Sequence, residues 1–291
     1  MDNPRILLDN PRMLLIALPD RPCAASIFRY AFVLKHYTGA VVLKNTFIHL
    51  DGIGIATERK LWRIGIRSWD DLVRRGLEYL PPGLRSAVAA ELQESAASYA
   101  AGRWAFFEQR LASSQKWRAY PDLKAKALYL DIETTGLGAA DAITLVGAYD
   151  GAAMRYFVSG INLADAVGAI NSYPMLVTFN GTGFDLPMIR KCLGGISADH
   201  IHLDLRHCLR ALGYRGGLKA IEQTCGIRRS TSTRFLGGWD AVRLWNEYLA
   251  GSGAALELLK EYNGEDVKNL QKLAEIAWEQ SSRRIGFECT A

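Results

Sequence analysis

Apolar and polar residues follow two different patterns along the chain, which divide it into an early helical part and a later part of strands and helices. Between Thr46 and Val73, glycine turns separate short apolar stretches, and Ser68 followed by acidic residues is typical of a capped helix start. From Leu84 to Leu111, apolar residues recur at spacings of three and four. This second pattern predicts one long helix.

Polar residues then predict a linker at Ser113–Gln115 and Tyr120–Asp122, after which strand and helix patterns alternate. The predicted strands are Ala127–Glu133, Ala142–Tyr149, Met154–Val158, Pro174–Phe179 and His200–Leu203. The predicted helices are Leu163–Asn171, about Phe184–Leu193, and several that cover most of Leu205–Gln280. This order predicts an α/β fold, a mixed sheet with helical cover.

The length of 291 residues exceeds that of a usual single domain, which predicts a catalytic domain with a smaller one attached. We place a helical region at residues 44–115 and a sheet domain at residues 123–280. Residues 1–43 contain two Asp-Asn-Pro-Arg tetrapeptides and no sustained period, so we assign them no fold. They are either a flexible extension or precede a natural start near Val42.

Composition narrows the class of protein. With 49% hydrophobic and 22% charged residues the chain can bury a core, and its net charge of +5 suits a polyanionic partner. No stretch reaches the about 18 uninterrupted apolar residues of a membrane span, so we expect no membrane partner. The scattered cysteines form no Cys-x-x-Cys pair, which favours a reducing cytoplasm. They are Cys23, Cys192, Cys208, Cys225 and Cys289.

Two carboxylates stand at the end of the first predicted strand, in Asp131-Ile132-Glu133. The strand period of two places both on one face, where they repel each other unless a cation lies between them. Carboxylate oxygens are the ligands of hard ions such as Mg²⁺ or Mn²⁺. These two residues alone leave open the alternative of an exposed edge-strand face.

Two further acidic motifs follow. In Thr178-Phe179-Asn180-Gly181-Thr182-Gly183-Phe184-Asp185, glycines permit a tight turn after a strand, and Asp185 is either a helix N-terminal acid or a ligand. Later, Tyr262 and Asp266 are four residues apart, which places them on one helix face.

Together these motifs resemble those of the DEDD (DnaQ-like) nuclease superfamily, and the segment around them resembles the YprB-type branch of ribonuclease-H-like exonucleases. The first match is Leu128-Tyr129-Leu130-Asp131-Ile132-Glu133-Thr134-Thr135-Gly136-Leu137, and the outer segments are Gly217–Glu222 and Trp245–Tyr248. The sister branch has His five residues before the last acid, where this chain has Glu261. The resemblance is therefore to the tyrosine (DEDDy) branch.

This resemblance implies a site and an activity. Its acidic ligands would be Asp131, Glu133, Asp185 and Asp266, holding two divalent ions, Mg²⁺ or Mn²⁺. Tyr262 would orient the attacking water, since a phenol with a pKa near 10 stays protonated. The residues expected to contact nucleic acid are Thr134, Thr135, Gly136, Leu137, Asn180 and Phe184. The implied activity is 3′→5′ hydrolysis of DNA or RNA by a two-metal mechanism.

The helical region contains a second resemblance. Gly52-Ile53-Gly54 and Gly65-Ile66 resemble helix-hairpin-helix modules, in which a glycine turn offers backbone N–H groups to a phosphate. We therefore expect Gly52 and Gly54 to bind nucleic acid without reading its sequence. Asp51 departs from this pattern, because many such hairpins have proline there.

Two alternative functions remain open. A catalytically silent nucleic-acid-binding scaffold would keep the same fold, and an endonuclease for RNA–DNA hybrids would fit the fold but not the pairing of Tyr262 with Asp266. The sequence does not separate DNA from RNA, and it names no protein partner. Asp204 is expected to act as an N-cap or support. The histidines His200, His202 and His207 are expected to be structural or surface residues.

Overall fold

The computed structural model describes residues 43–136, 138 and 141–286. The segment before Leu43, to which the sequence assigned no fold, lies outside the described residues. So does Leu137.

The helical region consists of short helices joined by tight turns. They are a 3₁₀ turn at Leu43–Asn45, α1 (Ile55–Arg63), α2 (Trp69–Asp71) continued by a π turn (Leu72–Gly76) and a 3₁₀ turn (Leu77–Tyr79), α3 (Pro82–Ala100) and α4 (Ala105–Arg110). Ser68 caps α2 as predicted, since its hydroxyl accepts from the Asp71 backbone N–H. The prediction of one helix from Leu84 to Leu111 was wrong. The helix stops at Ala100, and Gly102 adopts a left-handed φ of +67°, which favours glycine and ends the helix.

The predicted linker is helical and partly buried, and residues 113–126, which contain it, are called the seam below. It forms a 3₁₀ helix (Ser113–Ala119), α5 (Tyr120–Leu123) and a 3₁₀ turn (Lys124–Lys126). Arg118 has no exposed surface, and its Nη2 donates to Glu58 Oε2 at 2.9 Å. Thr46 Oγ1 accepts from Arg118 Nη1 at 2.9 Å and donates to Glu58 Oε1 at 2.8 Å. The sequence predicted a linker on either side of Arg118, whereas the structure forms helical turns there and the charge of Arg118 is satisfied inside the protein.

A five-stranded mixed sheet follows, in the order β3-β2-β1-β4-β5. The strands are β1 (Ala127–Thr134), β2 (Ile143–Tyr149), β3 (Met154–Val158), β4 (Met175–Thr178) and β5 (Ile201–Asp204). The helices are α6 (Asp165–Asn171), α7 (Asp185–Cys192), α8 (Leu205–Leu212), α9 (Leu218–Thr224), α10 (Gly238–Leu249) and α11 (Gly253–Ile285). The central strand β1 pairs antiparallel with β2 and parallel with β4. The predicted α/β fold is confirmed.

The alternation of side chains along β1 decides which layer each residue meets. Leu128, Leu130 and Ile132 pack against the helices α6 and α7. Ala127 and Tyr129 face the other way, toward α11, in a hydrophobic cluster that also contains residues of the helical region. Asp131 and Glu133 continue this second face beyond the apolar part, so the acidic residues emerge beside α11.

Because this core is continuous, the helical region and the sheet share buried contacts. Tyr120 Oη lies 2.8 Å from Tyr129 Oη, which joins the seam to the central strand. The division into domains at residues 44–115 and 123–280 stays a prediction. Within the described part of the chain, no helix has the length and apolar character needed to cross a membrane.

We expect Glu58→Gln to lower the free energy of unfolding by about 3–5 kcal/mol, because it leaves the Arg118 guanidinium buried without its counter-charge. Urea denaturation measures the loss. Glu94→Gln is the control, since the Arg110–Glu94 pair is 3.8 Å apart and exposed, and its loss costs less than about 1 kcal/mol. Equal unfolding midpoints for the two variants would show that the buried pair does not stabilise the seam.

Candidate metal centre and nucleic-acid pocket

The structure brings three predicted ligands together. Carboxylate oxygens of Asp131, Glu133 and Asp266 all lie within 4.8 Å of one another. Asp131 and Glu133 share a face of β1 by strand alternation, and Asp266 reaches them from α11, which packs on that face. Glu133 and Asp266 are buried, and Asp131 is partly exposed.

Asn263, which sequence analysis missed, holds two of these acids. Its Nδ2 donates to Asp131 Oδ2 at 3.0 Å and to Glu133 Oε1 at 3.3 Å. Gly147 lies opposite Asp131 on β2, and a Cβ there would be only 1.8 Å from Asn263 Oδ1. The amide therefore fits only because residue 147 is glycine. The available signal was the spacing of three between Asn263 and Asp266, which places them on one helix face.

A basic side chain approaches the same cluster. Arg229, between α9 and α10, forms an ion pair with Asp266. Its other contacts are to Glu222, from Nε at 2.6 Å and Nη2 at 2.8 Å. Glu222 also accepts from Asn269 at 3.1 Å. The chain thus places a fixed positive charge beside its buried acids, which the sequence motifs did not reveal because Arg229 is far from Asp266 in the chain.

The fourth predicted ligand, Asp185, lies in the same pocket but outside the group of three. It is the first residue of α7 and is only 3% exposed. Hydrogen bonds with the backbone N–H groups of Ile132 and of Asp185 itself favour its charged form, yet burial outweighs them and raises its pKa to about 7. Asp185 therefore begins α7 and also places a carboxylate at the site, which are the two alternatives that the sequence left open.

The other acids share this electrostatic character. Burial first, and then the charge of Asp266, raise the pKa of Glu133 to about 8. Burial and the neighbouring charges, first that of Asp185, raise the pKa of Asp131 well above its ordinary value. Burial raises the pKa of Asp266 to about 6, although the Arg229 guanidinium opposes the rise. Binding of a divalent cation would relieve the repulsion among these groups.

The Tyr262 hydroxyl stays protonated in this site. Burial first, and then the charges of Asp266 and Glu133, raise the pKa of Tyr262 far above its ordinary value. Lys219 Nζ lies 4.6 Å from the centroid of the Tyr262 ring and has no hydrogen-bond partner among the residues that the structure describes. Lys219 lies within Gly217–Glu222, and no motif in the sequence indicated a role for it.

The turn of the second motif is held by Asp204. Its carboxylate accepts from the backbone N–H groups of Asn180 at 2.8 Å and Thr182 at 3.0 Å, and it caps α8 through the N–H of Arg206 at 3.1 Å. This confirms the predicted N-cap and support. Asn180 has a left-handed φ of +68°, which is uncommon for a residue other than glycine. A Cβ at Gly181 would lie 2.2 Å from Thr178 Oγ1, so the turn requires glycine there.

The predicted histidine roles agree with their surroundings. Burial lowers the pKa of His202 to about 3 and that of His200 to about 4, so both are neutral at physiological pH. His202 Nε2 lies 2.9 Å from Thr178 Oγ1. His207 is exposed on α8.

These groups open onto a pocket of about 410 Å³, a volume suited to a small ligand. Its lining contains the predicted Thr134, Gly136, Asn180 and Phe184 together with Asp131, Glu133, Asp185, Tyr262 and Asp266, and also Ile132, Phe179, Leu218, Gly238, Trp239 and Val242. The last four, from α9 and α10, were missed. They join the site only through tertiary packing.

The remaining predicted contacts lie elsewhere. Thr135 is not in the lining, and its hydroxyl donates to Asp141 Oδ1 at 3.0 Å. Gly52 has a left-handed φ of +80°, and Gly54 precedes α1 as its N-cap. The backbone N–H of Asp51 is already bound to Glu91 Oε2 at 2.8 Å. Phosphate binding by Gly52 and Gly54 stays a prediction.

The donor set fits a divalent cation. Three carboxylates with converging oxygens provide the hard ligands that such ions prefer, and Asp185 is a fourth acid in the same pocket. The identity of the ion does not follow from these groups, since Mg²⁺ and Mn²⁺ both accept carboxylate oxygens.

In metal-free buffer, we expect the free energy of unfolding of Glu133→Gln to increase relative to that of wild type as the pH rises. The folded pKa of about 8 exceeds the ordinary 4.5, so the wild type retains a stabilising proton at low pH and loses it as the pH rises toward 8. The glutamine does not titrate. Urea denaturation should show the difference growing by roughly 1–2 kcal/mol between pH 6 and 8.

Asp165→Asn, an exposed change at the start of α6, is the control for this pH series and should show no such growth. A difference between Glu133→Gln and wild type that is the same at pH 6 and pH 8 would contradict the buried, repelling cluster.

Comparison with known proteins gives the family. A search of curated proteins found no match. Among solved structures, the chain is similar to the family B DNA polymerase from the hyperthermophilic archaeon Pyrobaculum calidifontis, with 17% identity and a TM-score of 0.42, over 54% of this chain and 24% of the polymerase chain. A likeness this weak carries no functional conclusion. The family model of the RNase H superfamily matches residues 128–278, more than half of the sequence, and the chain therefore belongs to the RNase H superfamily.

Proposed function

We propose that the protein is a metal-dependent 3′→5′ exonuclease that hydrolyses phosphodiester bonds of nucleic acid. Membership of the RNase H superfamily supports a nuclease-type activity in general. The observation that carries the finer proposal is the convergence of Asp131, Glu133 and Asp266 within 4.8 Å, in a pocket that also contains Tyr262. The 3′→5′ direction rests on the resemblance of the tyrosine motif to exonucleases.

The acids would hold two divalent ions, Mg²⁺ or Mn²⁺. Asp131, Glu133 and Asp266 supply converging oxygens, and Asp185 lies in the same pocket with a hydrogen bond to the backbone of Ile132. When bound, such ions activate water and stabilise the leaving oxygen of a phosphodiester. Asn263 orients the two strand carboxylates for this task through its amide.

Other side chains act on the substrate. The protonated Tyr262 hydroxyl can donate a hydrogen bond that orients a water or a phosphate oxygen, but it cannot accept a proton as a base at neutral pH. Lys219 places a positive charge against its ring, where an anionic phosphate group would be attracted. Asn180 and Phe184 line the pocket and would contact the terminal nucleotide.

A catalytically silent nucleic-acid-binding scaffold is the second candidate, and one observation favours it. Arg229 already pairs with Asp266, so one of the ligand carboxylates has a cationic partner within the protein. The two candidates differ in a measurable way: a scaffold binds nucleic acid without cutting it, whereas an exonuclease shortens it.

We expect wild-type protein with Mn²⁺ to shorten 5′-labelled single-stranded DNA or RNA in a ladder from the 3′ end. Asp131→Asn should reduce the rate by more than about 100-fold, because loss of even an outer partner of a metal ligand costs about 10–100-fold. Asp165→Asn, also an exchange of carboxylate for amide but remote from the pocket, should retain the wild-type rate.

A chelator should abolish this ladder. Binding without shortening in either metal would favour the scaffold instead. Cutting that begins in the interior of a circular single strand would overturn the exonuclease proposal while leaving a nuclease.

We expect Gly147→Ala to weaken Mn²⁺ binding about 10–100-fold, because the new Cβ displaces Asn263 and removes the amide that orients Asp131 and Glu133. Titration followed by electron paramagnetic resonance of free Mn²⁺ measures the affinity. Gly168→Ala in α6 is the matched control, since a Cβ there meets no atom within 4 Å. Equal affinities in two folded variants would show that Asn263 does not position the ligands.

A further inference from the structure

Two aromatic side chains, in α10 and in the segment just before it, are strongly exposed. Phe235 is 81% exposed and Trp239 77%, more than any other large hydrophobic residue in the part of the chain that the structure describes. Aromatic side chains contribute strongly to stability when buried, so the fold gains nothing from leaving these two in water. Their exposure points to a ligand.

Their position is defined by the structure around them. Trp239 lies in the first turn of α10 and lines the pocket together with the acidic cluster. Phe235 is four residues earlier, in the segment 228–237 that precedes α10. This segment is tied to α11, since Glu265 accepts from the backbone N–H of Ser230 at 2.8 Å and from the buried hydroxyl of Thr233. The aromatic groups are therefore presented by an anchored loop.

The charge of this segment complements a phosphate backbone. Between residues 228 and 240 the chain has Arg228 and Arg234 besides Arg229, which is paired with Glu222 and Asp266, and one acidic residue, Asp240. Arg228 and Arg234 are exposed. The Arg234 guanidinium lies 4.5 Å from the centroid of the Phe235 ring, so the ring and the cation form one surface.

We propose that Phe235 and Trp239 form a stacking platform for unpaired nucleobases, with Arg234 contacting the backbone phosphates, so that the substrate is a single-stranded end. The substrate assignment rests on the proposed function; the platform itself does not. Exposed aromatic side chains beside cations are the features with which proteins bind single strands, because every base has a stacking face. In a duplex these faces are covered by neighbouring base pairs.

The test is binding without metal, so that it does not depend on hydrolysis. Full-length protein in chelator is titrated into a 5′-fluorescein-labelled 12-nucleotide single strand and into a blunt duplex of the same sequence, followed by anisotropy. Trp239→Ala and Phe235→Ala should each weaken single-strand binding about tenfold, the usual effect of losing one base–aromatic stack. Trp239→Phe should retain most of the affinity.

Leu249→Ala is the matched control, because Leu249 is 66% exposed at the opposite end of α10 and should bind like wild type. The wild type should bind the duplex more weakly than the single strand, and Trp239→Ala should bind the duplex with the same affinity as wild type. Wild-type affinity in both alanine variants, with folding verified by circular dichroism, would overturn the platform. Equal losses for single strand and duplex would overturn the preference for unpaired bases.

Light scattering tests the remaining alternative, which is that the aromatic pair forms a protein interface. Self-association of the wild type that Trp239→Ala abolishes, without a change in oligonucleotide binding, would assign the aromatic pair to a protein interface and overturn the proposal. The inference and the proposed function fail separately. A platform that binds single strands in a protein that never shortens them contradicts the exonuclease alone, and shortening that is accompanied by unchanged binding in both alanine variants contradicts the platform alone.

Discussion

Repulsion among clustered carboxylates is the constraint on which the centre of this structure depends. Asp131, Glu133 and Asp266 lie within 4.8 Å of one another at the end of the central strand, and burial raises their pKa values. Such a group is stable only with positive charge or hydrogen-bond donors nearby. The Asn263 amide and the Arg229 guanidinium provide both from elements distant in the chain. The glycine at position 147 is a consequence of the same need, since it leaves space for that amide.

A second buried interaction, an ion pair, stabilises the elements that pack against the strand of the site. The Arg118–Glu58 pair joins the helical region to the seam, and the seam meets β1 through Tyr120 and Tyr129. Tyr129 shares its face of the strand with Asp131, two residues on. A change in the packing of the helical region would therefore shift the strand that carries the acids. This gives the helical region a structural part in the site that does not depend on the predicted phosphate binding by Gly52 and Gly54.

The sequence was informative where structure is local. Strand alternation located β1 and placed Asp131 and Glu133 on one face, and the spacing of four put Tyr262 with Asp266. It failed where distant packing decides. The segment around Arg118 was predicted as a linker, because its ion-pair partner Glu58 is 60 residues away. Arg229 and Trp239 reach the site only through the tertiary arrangement of the segment before α10 and of α10 itself, and no local periodicity identifies them.

Acidic and basic groups lie together at this site, and electrostatics explains why a polyanionic ligand needs both. An acidic floor alone would repel a polyanion, and the net charge of +5 is too diffuse to overcome that repulsion locally, since exposed charges are screened over about 10 Å. Attraction must therefore come from groups at the pocket itself. Lys219 lies at the Tyr262 ring, and Arg234 lies beside Phe235 in the segment before α10. A nucleic acid bound by these cations would place its phosphates near them and its bases against Trp239, which requires the bases to be unpaired.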